Sequence, residues 1–137
     1  DTTTAVTCLH YLTAVLRHLA GRDPLPARHC TAGRLRLLAP VATHADLASI
    51  ALDDLRVGAR GNPTMLAALL DALGRLAASP EDARRLDLDR HFRDLRQTIE
   101  QTLEIPGERD ALLQAAARLA PRLDRLRAAQ PIAAPAR

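Results

Sequence analysis

A cluster of charged residues in the middle of the sequence is the best candidate for chemistry. Asp53 and Arg56 are three positions apart, which is ion-pair spacing on a helix, and Arg60 follows one turn later. Such a polar cluster could bind a small ligand or a charged partner. Asp1 and Thr4, at the N-terminus, could line the same pocket if the fold brings them there. The simpler interpretation, a solvated helix face, is favoured.

Histidine and cysteine are the other residues that could carry chemistry. A helical metal site needs two ligands three or four positions apart, and no two of the five histidines have that spacing. His29 beside Cys30 lacks two convincing partners. Cys8 lies in the apolar stripe of a predicted helix, where a buried thiol is inert. We therefore predict no metal, no cofactor and no catalytic residue. Cys8 and Cys30 could form one disulfide in an oxidising compartment, but two unpaired thiols are favoured because a domain of this size does not need the crosslink.

The distribution of charge argues against nucleic acid as a partner. The 19 basic residues are all Arg, and the 16 acidic residues among them leave a net charge of +3. A nucleic-acid-binding surface concentrates positive charge and uses aromatic residues for stacking, which are nearly absent here. One basic stripe, Arg118, Arg122 and Arg125, could contact anionic lipid heads or an acidic partner. Nearby acidic residues favour a solvated face there too.

The first part of the chain is predicted to form a helix and then a hairpin. Leu and Ala dominate the apolar residues, which make up 47% of the sequence, and favour helices. Apolar residues recur at helical spacing from Thr3 to Ala20. Pro24 and Pro26 then exclude a helix interior. The alternation Arg34-Leu35-Arg36-Leu37 predicts a half-buried strand, in a short β-hairpin near Ala27 to Leu38.

Four further helices are predicted from their start signals. They begin at Thr43, Asn62, Ser79 and Pro106, where a capping side chain or a proline precedes an apolar stripe. The helix from Thr43 is expected to reach Arg60, the one from Ser79 to reach Glu104 and the last to reach Gln130. The last helix is expected to bend or divide at Pro121.

The expected fold is mainly all-α: a bundle of about five helices with one hairpin between helices one and two. It is expected to form a single domain over residues 1–130, with a loose tail over residues 131–137. Val15 and Ile50 belong to the predicted inward stripes, and no apolar run is long enough to cross a bilayer. Three apolar residues outside the stripes are expected to be exposed: Val57, Met65 and Ile132.

Two segments resemble a known family. One is Asp1-Thr2-Thr3-Thr4-Ala5-Val6-Thr7-Cys8-Leu9; the other runs from Ala51-Leu52-Asp53-Asp54-Leu55-Arg56 through Gly61-Asn62-Pro63 to Leu69-Leu70-Asp71-Ala72-Leu73. They are similar to the C-terminal region of a family of predicted bacterial membrane proteins, domain of unknown function 2254, over about Asp1 to Leu119. Thr2 stands where that family usually has Pro, so no role of that proline carries over.

The resemblance implies a context rather than a reaction. It implies a soluble domain that follows membrane helices, on the cytoplasmic side of the bacterial inner membrane. Its expected partner is its own membrane region or another copy in a homo-oligomer. The leading hypothesis is an interaction or regulatory domain without catalytic activity. The alternative is a ligand-sensing or enzymatic domain that uses the polar cluster around Asp53, Arg56 and Arg60.

Overall fold

A computed structural model describes residues 1–23 and 26–128. These residues form six α-helices and one antiparallel hairpin between the first two helices, which confirms the predicted fold class. The predicted tail and Ile132 lie outside the described residues. The elements are α1 Thr2–Ala20, β1 Arg28–Thr31, β2 Arg34–Leu38, α2 His44–Gly58, α3 Pro63–Leu76, α4 Pro80–Arg85, α5 Leu88–Thr102 and α6 Pro106–Ala128.

Side-chain caps hold the predicted helix starts. The Asp1 carboxylate accepts a hydrogen bond from the Thr3 backbone N–H at 3.0 Å. At α2, Thr43 and Asp46 form a capping box in which each side chain accepts a hydrogen bond from the other's backbone N–H. The hydrogen bonds from Thr43 hold the pKa of Asp46 below its usual value. At α3, the Asn62 side-chain oxygen accepts a hydrogen bond from the Met65 backbone N–H at 3.1 Å.

The predicted fourth helix, from Ser79 to Glu104, is divided into α4 and α5. The break lies at Asp87, whose φ is 51°. Aspartate is one of the few residues that adopt this left-handed conformation at modest cost. The break lets both Leu86 and Leu88 be fully buried. Residues two positions apart on a continuous helix do not share a face, so the break changes the direction in which one of these two leucines points.

Pro121 lies inside α6 without dividing it. The sequence predicts a bend or a break at this residue, because proline removes one backbone hydrogen bond. The described backbone stays helical on both sides, and α6 runs from Pro106 to Ala128 as one element.

Helix α3 lies at the centre of the core. Seven of its residues are buried, and it packs against α1, α5 and α6. The prediction that Met65 is exposed is wrong, because helices on several sides of α3 widen its buried face. The predicted stripe of leucines is confirmed. The buried residues of α3 are Met65, Leu66, Leu69, Leu70, Ala72, Leu73 and Leu76.

The outer faces of α1 and α2 carry apolar side chains that were expected to point inward. Ile50 of α2 is 73% exposed and Val15 of α1 is 53% exposed. Cys8 is exposed as well, so the prediction of a buried thiol is wrong. Helix α2 packs mainly against α1 and α5, and only Ala48 and Leu52 on its inner side are buried.

The hairpin is exposed over its whole length. Strands β1 and β2 pair antiparallel with Arg28 opposite Leu38. The turn residues Ala32 and Gly33 have φ values of 52° and 73°, as a tight hairpin turn with two positive φ angles requires. All four residues of β1 and all five of β2 are exposed, so the prediction of a half-buried strand is wrong. The helices cover neither face of the hairpin.

Candidate functional site

A polar cleft lies between α2 and α5, and is called here the α2–α5 cleft. These two helices pack against each other, and their side chains enclose about 290 Å³. Two residues of the predicted cluster, Arg56 and Arg60, line this cleft. The full lining consists of Arg56, Val57, Arg60, Asp94, Gln97, Thr98 and Gln101.

The other predicted site residues do not line the cleft. The Asp53 carboxylate turns to Arg90, with Oδ2 at 3.4 Å from Nη2, instead of forming the predicted ion pair with Arg56. Asp1 and Thr4 lie at the start of α1, where the Thr4 hydroxyl donates to Asp1 Oδ2 at 3.0 Å. These two side chains serve the helix cap. The structure therefore brings together two of the five predicted residues.

Arg90 connects Asp53 to the cleft. Its guanidinium lies 3.4 Å from Asp94 Oδ2, a cleft residue, and 3.5 Å from Asp87 Oδ2. It also donates to the Ser49 hydroxyl at 2.6 Å. Arg90 was not among the residues predicted for this site. The sequence does indicate its ion pairs with Asp87 and Asp94, since these residues are three and four positions away on a helix. Its contact with α2 depends on tertiary packing and has no such sequence pattern.

His91 is buried beside this network, with 3% of its surface exposed. Its Nε2 lies 3.2 Å from Arg90 Nη2. Because a guanidinium can only donate, Nε2 accepts, and the neutral ring carries its proton on Nδ1, which lies 3.4 Å from Asp53 Oδ1. Burial lowers the pKa of His91, and the charge of Arg90 lowers it further, against the opposing effect of nearby carboxylates. His91 is therefore a neutral packing residue near pH 7.

Two buried polar atoms beside the cleft have no hydrogen-bond partner among the described residues. They are Arg56 Nε and Asp53 Oδ1, whose contact with His91 Nδ1 at 3.4 Å does not form a hydrogen bond. Arg56 is anchored by Nη1, which donates to the Thr98 hydroxyl at 3.2 Å. The Thr98 hydroxyl in turn donates to the Asp94 backbone carbonyl at 2.8 Å. The Nη1 hydrogen bond therefore holds the Arg56 guanidinium in place, while its Nε–H remains an unsatisfied donor, which is costly when buried.

The α2–α5 cleft presents groups that can bind an anion. It presents two guanidinium groups and the amides of Gln97 and Gln101. Guanidinium groups recognise carboxylate and phosphate by paired hydrogen bonds. The Thr98 hydroxyl is already engaged in two hydrogen bonds, and the Asp94 carboxylate is engaged by Arg90. Binding a small oxyanion is the chemistry that this arrangement supports.

Histidine and cysteine are dispersed over the described part of the chain. No group of three or more His, Cys, Asp or Glu side chains there is placed to hold a metal ion. Cys8 and Cys30 are unpaired and exposed. His44, at the start of α2, has its Nε2 at 3.1 Å from the carbonyl oxygen of Leu19 in α1. The described histidine and cysteine residues therefore give no second candidate site beside the α2–α5 cleft.

Comparison with known proteins gives the chain a family. The family model described as predicted membrane protein (DUF2254) matches residues 1–75. The chain belongs to this family. The DUF2254 match covers α1, the hairpin, α2 and all of α3 except Leu76, so it ends well before Leu119, where the resemblance was expected to end. No curated protein and no solved structure shows significant similarity to the chain.

Among residues 1–23 and 26–128, none of the helices has both the length and the apolar character needed to cross a bilayer. The longest, α6, has 23 residues, and charged side chains recur along it.

Proposed function

We propose that this chain is a non-enzymatic interaction or regulatory domain of a larger bacterial integral membrane protein, and that it docks on the membrane-embedded region of that protein. Membership of a family of predicted membrane proteins supports this proposal. The observation that carries it is the position of the exposed apolar side chains. Among the described residues, seven of the eight large ones belong to α1, the hairpin and α2: Tyr11, Val15, Leu35, Leu37, Leu38, Ile50 and Val57.

The hairpin is the part of this surface that most needs a partner. A two-stranded hairpin is marginally stable in water unless one face packs against another element. Here β2 exposes Leu35, Leu37 and Leu38, alternating with Arg34 and Arg36. Leucines can contact the apolar part of a membrane-embedded region while arginines beside them stay at the level of the lipid head groups. This composition favours the membrane-embedded region as the occupant.

Helices α1 and α2 carry four more of these exposed apolar side chains. Between them runs a shallow apolar groove of about 390 Å³, whose lining includes Leu12, Leu16 and Leu47 with Val15 and Ile50 beside them. The hairpin connects these two helices along the chain. Soluble monomers seldom expose large contiguous apolar patches. The groove and the hairpin together therefore form the proposed docking surface.

Site-specific photocrosslinking in the full-length protein, in bacterial membranes, tests this function. The crosslinker replaces Leu37 of the hairpin or, as a control, Gln114 on the exposed side of α6. We expect the Leu37 position to crosslink to a membrane-spanning segment of the same polypeptide and the Gln114 position not to do so. Crosslinks between two copies would assign the surface to self-association instead. Either that result or no crosslink at Leu37 would overturn the proposal.

A second candidate function is the sensing of a small anionic ligand in the α2–α5 cleft. The unused donor capacity of Arg56 favours it. The test is a titration of the chain with phosphate, sulfate and small dicarboxylates, followed by NMR. Saturable shifts at Gln97 and Gln101 that disappear in Arg60→Gln but persist in Arg93→Gln are expected, because Arg93 lies outside the cleft. If no anion binds saturably, this second function is excluded.

A further inference from the structure

A second groove runs along the other side of α3, where α1 and α6 flank it. It has a volume of about 690 Å³, which is within the usual range of about 300 to 1,000 Å³ for small-molecule sites. Its lining residues come from Arg17 of α1, from one face of α3 and from one face of α6. It shares no residue with the α2–α5 cleft or with the hairpin. We call it the α3–α6 groove.

The floor of the α3–α6 groove is apolar. Leu70 and Leu119 form part of it and are almost fully buried, and Leu112 is half-buried beside them. Gly74 lies between the two helices, where an added Cβ would meet Leu119 Cδ1 at 3.8 Å. Its φ is not positive, so the backbone does not require glycine here. The missing side chain therefore leaves room in the groove, although glycine weakens a helix interior.

The rim of the groove carries four arginines, of which only one is neutralised by another described residue. Arg75 is paired with Asp71 at 2.7 Å. Arg17, Arg118 and Arg122 also line the groove, and none of them has an ion pair or side-chain hydrogen bond within residues 1–23 and 26–128. Arg118 and Arg122 are four positions apart on one helix face, where like charges repel each other. An anion between them would relieve that repulsion.

We propose that the α3–α6 groove binds one anionic phospholipid molecule of the membrane surface. The phosphate is bound by Arg118 and Arg122 with Arg17 opposite, since guanidinium groups bind phosphate in a forked geometry. The start of an acyl chain lies on the apolar floor beside Leu119. Charge complementarity selects an anion, and the apolar floor selects an amphiphile over a free anion. This site is independent of the proposed docking through the hairpin.

Vesicle co-sedimentation of the whole chain tests the proposal. Vesicles of phosphatidylcholine are compared with vesicles that also contain phosphatidylglycerol. We expect binding to the anionic vesicles only. The double variant Arg118→Gln with Arg122→Gln is expected to bind about 25-fold more weakly, or about fivefold for each arginine. The control is Arg93→Gln with Arg96→Gln, which removes the same formal charge from α5, outside the groove. It is expected to bind within about twofold of the wild type.

A second variant tests the apolar floor without changing any charge. Gly74→Leu fills the groove, and we expect it to weaken binding about fifteenfold. This estimate assumes that two methylene groups of the lipid lose their contact with the groove, each of which lowers the affinity about fourfold. Circular dichroism and urea unfolding check that it folds. Wild-type chain is also titrated with dihexanoyl phosphatidylglycerol and with glycerol phosphate, which needs no variant. The short-chain lipid is expected to bind more tightly than the free head group.

Three results would overturn the proposal. Equal losses of vesicle affinity in the groove variant and the α5 control would mean that binding depends on the net charge of the chain and not on the groove. Equal affinity for glycerol phosphate and the short-chain lipid would mean that no acyl chain is bound. Binding of an acidic amphipathic peptide with no binding to anionic vesicles would assign the groove to a protein partner. None of these results bears on the crosslinks expected from the hairpin, so the two proposals fail separately.

Discussion

Replacement of Arg90 by methionine would remove the centre of the ion-pair network between α2 and α5. Arg90 lies within 3.5 Å of three carboxylates and donates to the Ser49 hydroxyl at 2.6 Å. Its side chain is 33% exposed, so each pair is only partly screened by solvent. Ion pairs of this kind contribute about 0.3 to 0.5 kcal/mol each, and a hydrogen bond from a charged group contributes about 1.5 kcal/mol. We expect a loss of about 2 to 3 kcal/mol.

Arg93→Met is the matched control for this change. Arg93 lies on the same helix, is 65% exposed and forms an ion pair with Asp89 at 3.3 Å. Its replacement is expected to cost less than about 0.5 kcal/mol. Urea unfolding at low salt, with both variants beside the wild type, measures the difference. Equal losses of stability in the two variants would refute the reasoning, because the network would then contribute no more than a surface pair.

The same variant makes a second measurement available. The positive charge of Arg90 is one of the two causes that lower the pKa of His91. In Arg90→Met this repulsion is absent while the carboxylate of Asp53 remains, so the pKa of His91 is expected to rise. An NMR titration of the ring protons follows it directly. An unchanged pKa would contradict the assigned surroundings of His91.

Three further predictions concern stability. Because the pKa of His91 is lowered from its ordinary 6.5, the neutral His91 ring stabilises the fold fully above pH 6.5, and this stabilisation is lost as the pH falls through the lowered pKa. Urea unfolding as a function of pH should show this dependence, and His91→Gln should flatten the pH profile. Leu66→Ala should lower the free energy of unfolding by about 2 to 5 kcal/mol because Leu66 is fully buried, whereas Ile50→Ala should lower it by less than about 0.5 kcal/mol because Ile50 is exposed. Similar losses in the two variants would contradict the observed burial. Gly61→Ala should lower the stability by about 1 kcal/mol because the φ of Gly61 is 71°, whereas Gly58→Ala, in open space on α2, should raise it by about 0.5 kcal/mol. Thermal unfolding should show a lower melting temperature for the first variant and a higher one for the second.

The features that depend on neighbouring residues in the chain could be predicted from the sequence. A helix start needs only a side-chain acceptor and a nearby backbone N–H, which is why the starts at Thr43 and Asn62 were recognisable. The apolar stripe of α3 was recognisable because its helical period persists over the whole element. The alternation from Arg34 to Leu37 indicated the second strand of the hairpin.

The features that depend on distant residues could not be predicted. The break at Asp87 exists because two leucines on either side of it both find places in the core, and that is a property of the packed bundle. Apolar periodicity placed Ile50 inside, although too few helices surround α2 to cover it. For the candidate site, the sequence indicated Arg56 and Arg60, but α5 supplies the other wall of the cleft. The partner of Asp53 is on α5 for the same reason.

The central position of α3 changes how the family match should be understood. The matched segment ends at residue 75, within the last turn of α3, while α5 and α6, which cover much of that helix, follow later in the chain. A fragment cut at the end of the match would leave in water the leucines that these helices cover. We therefore expect that the boundary of the family model is not a boundary of folding. The matched and unmatched parts of the chain meet at one shared helix, and their stabilities are expected to depend on each other.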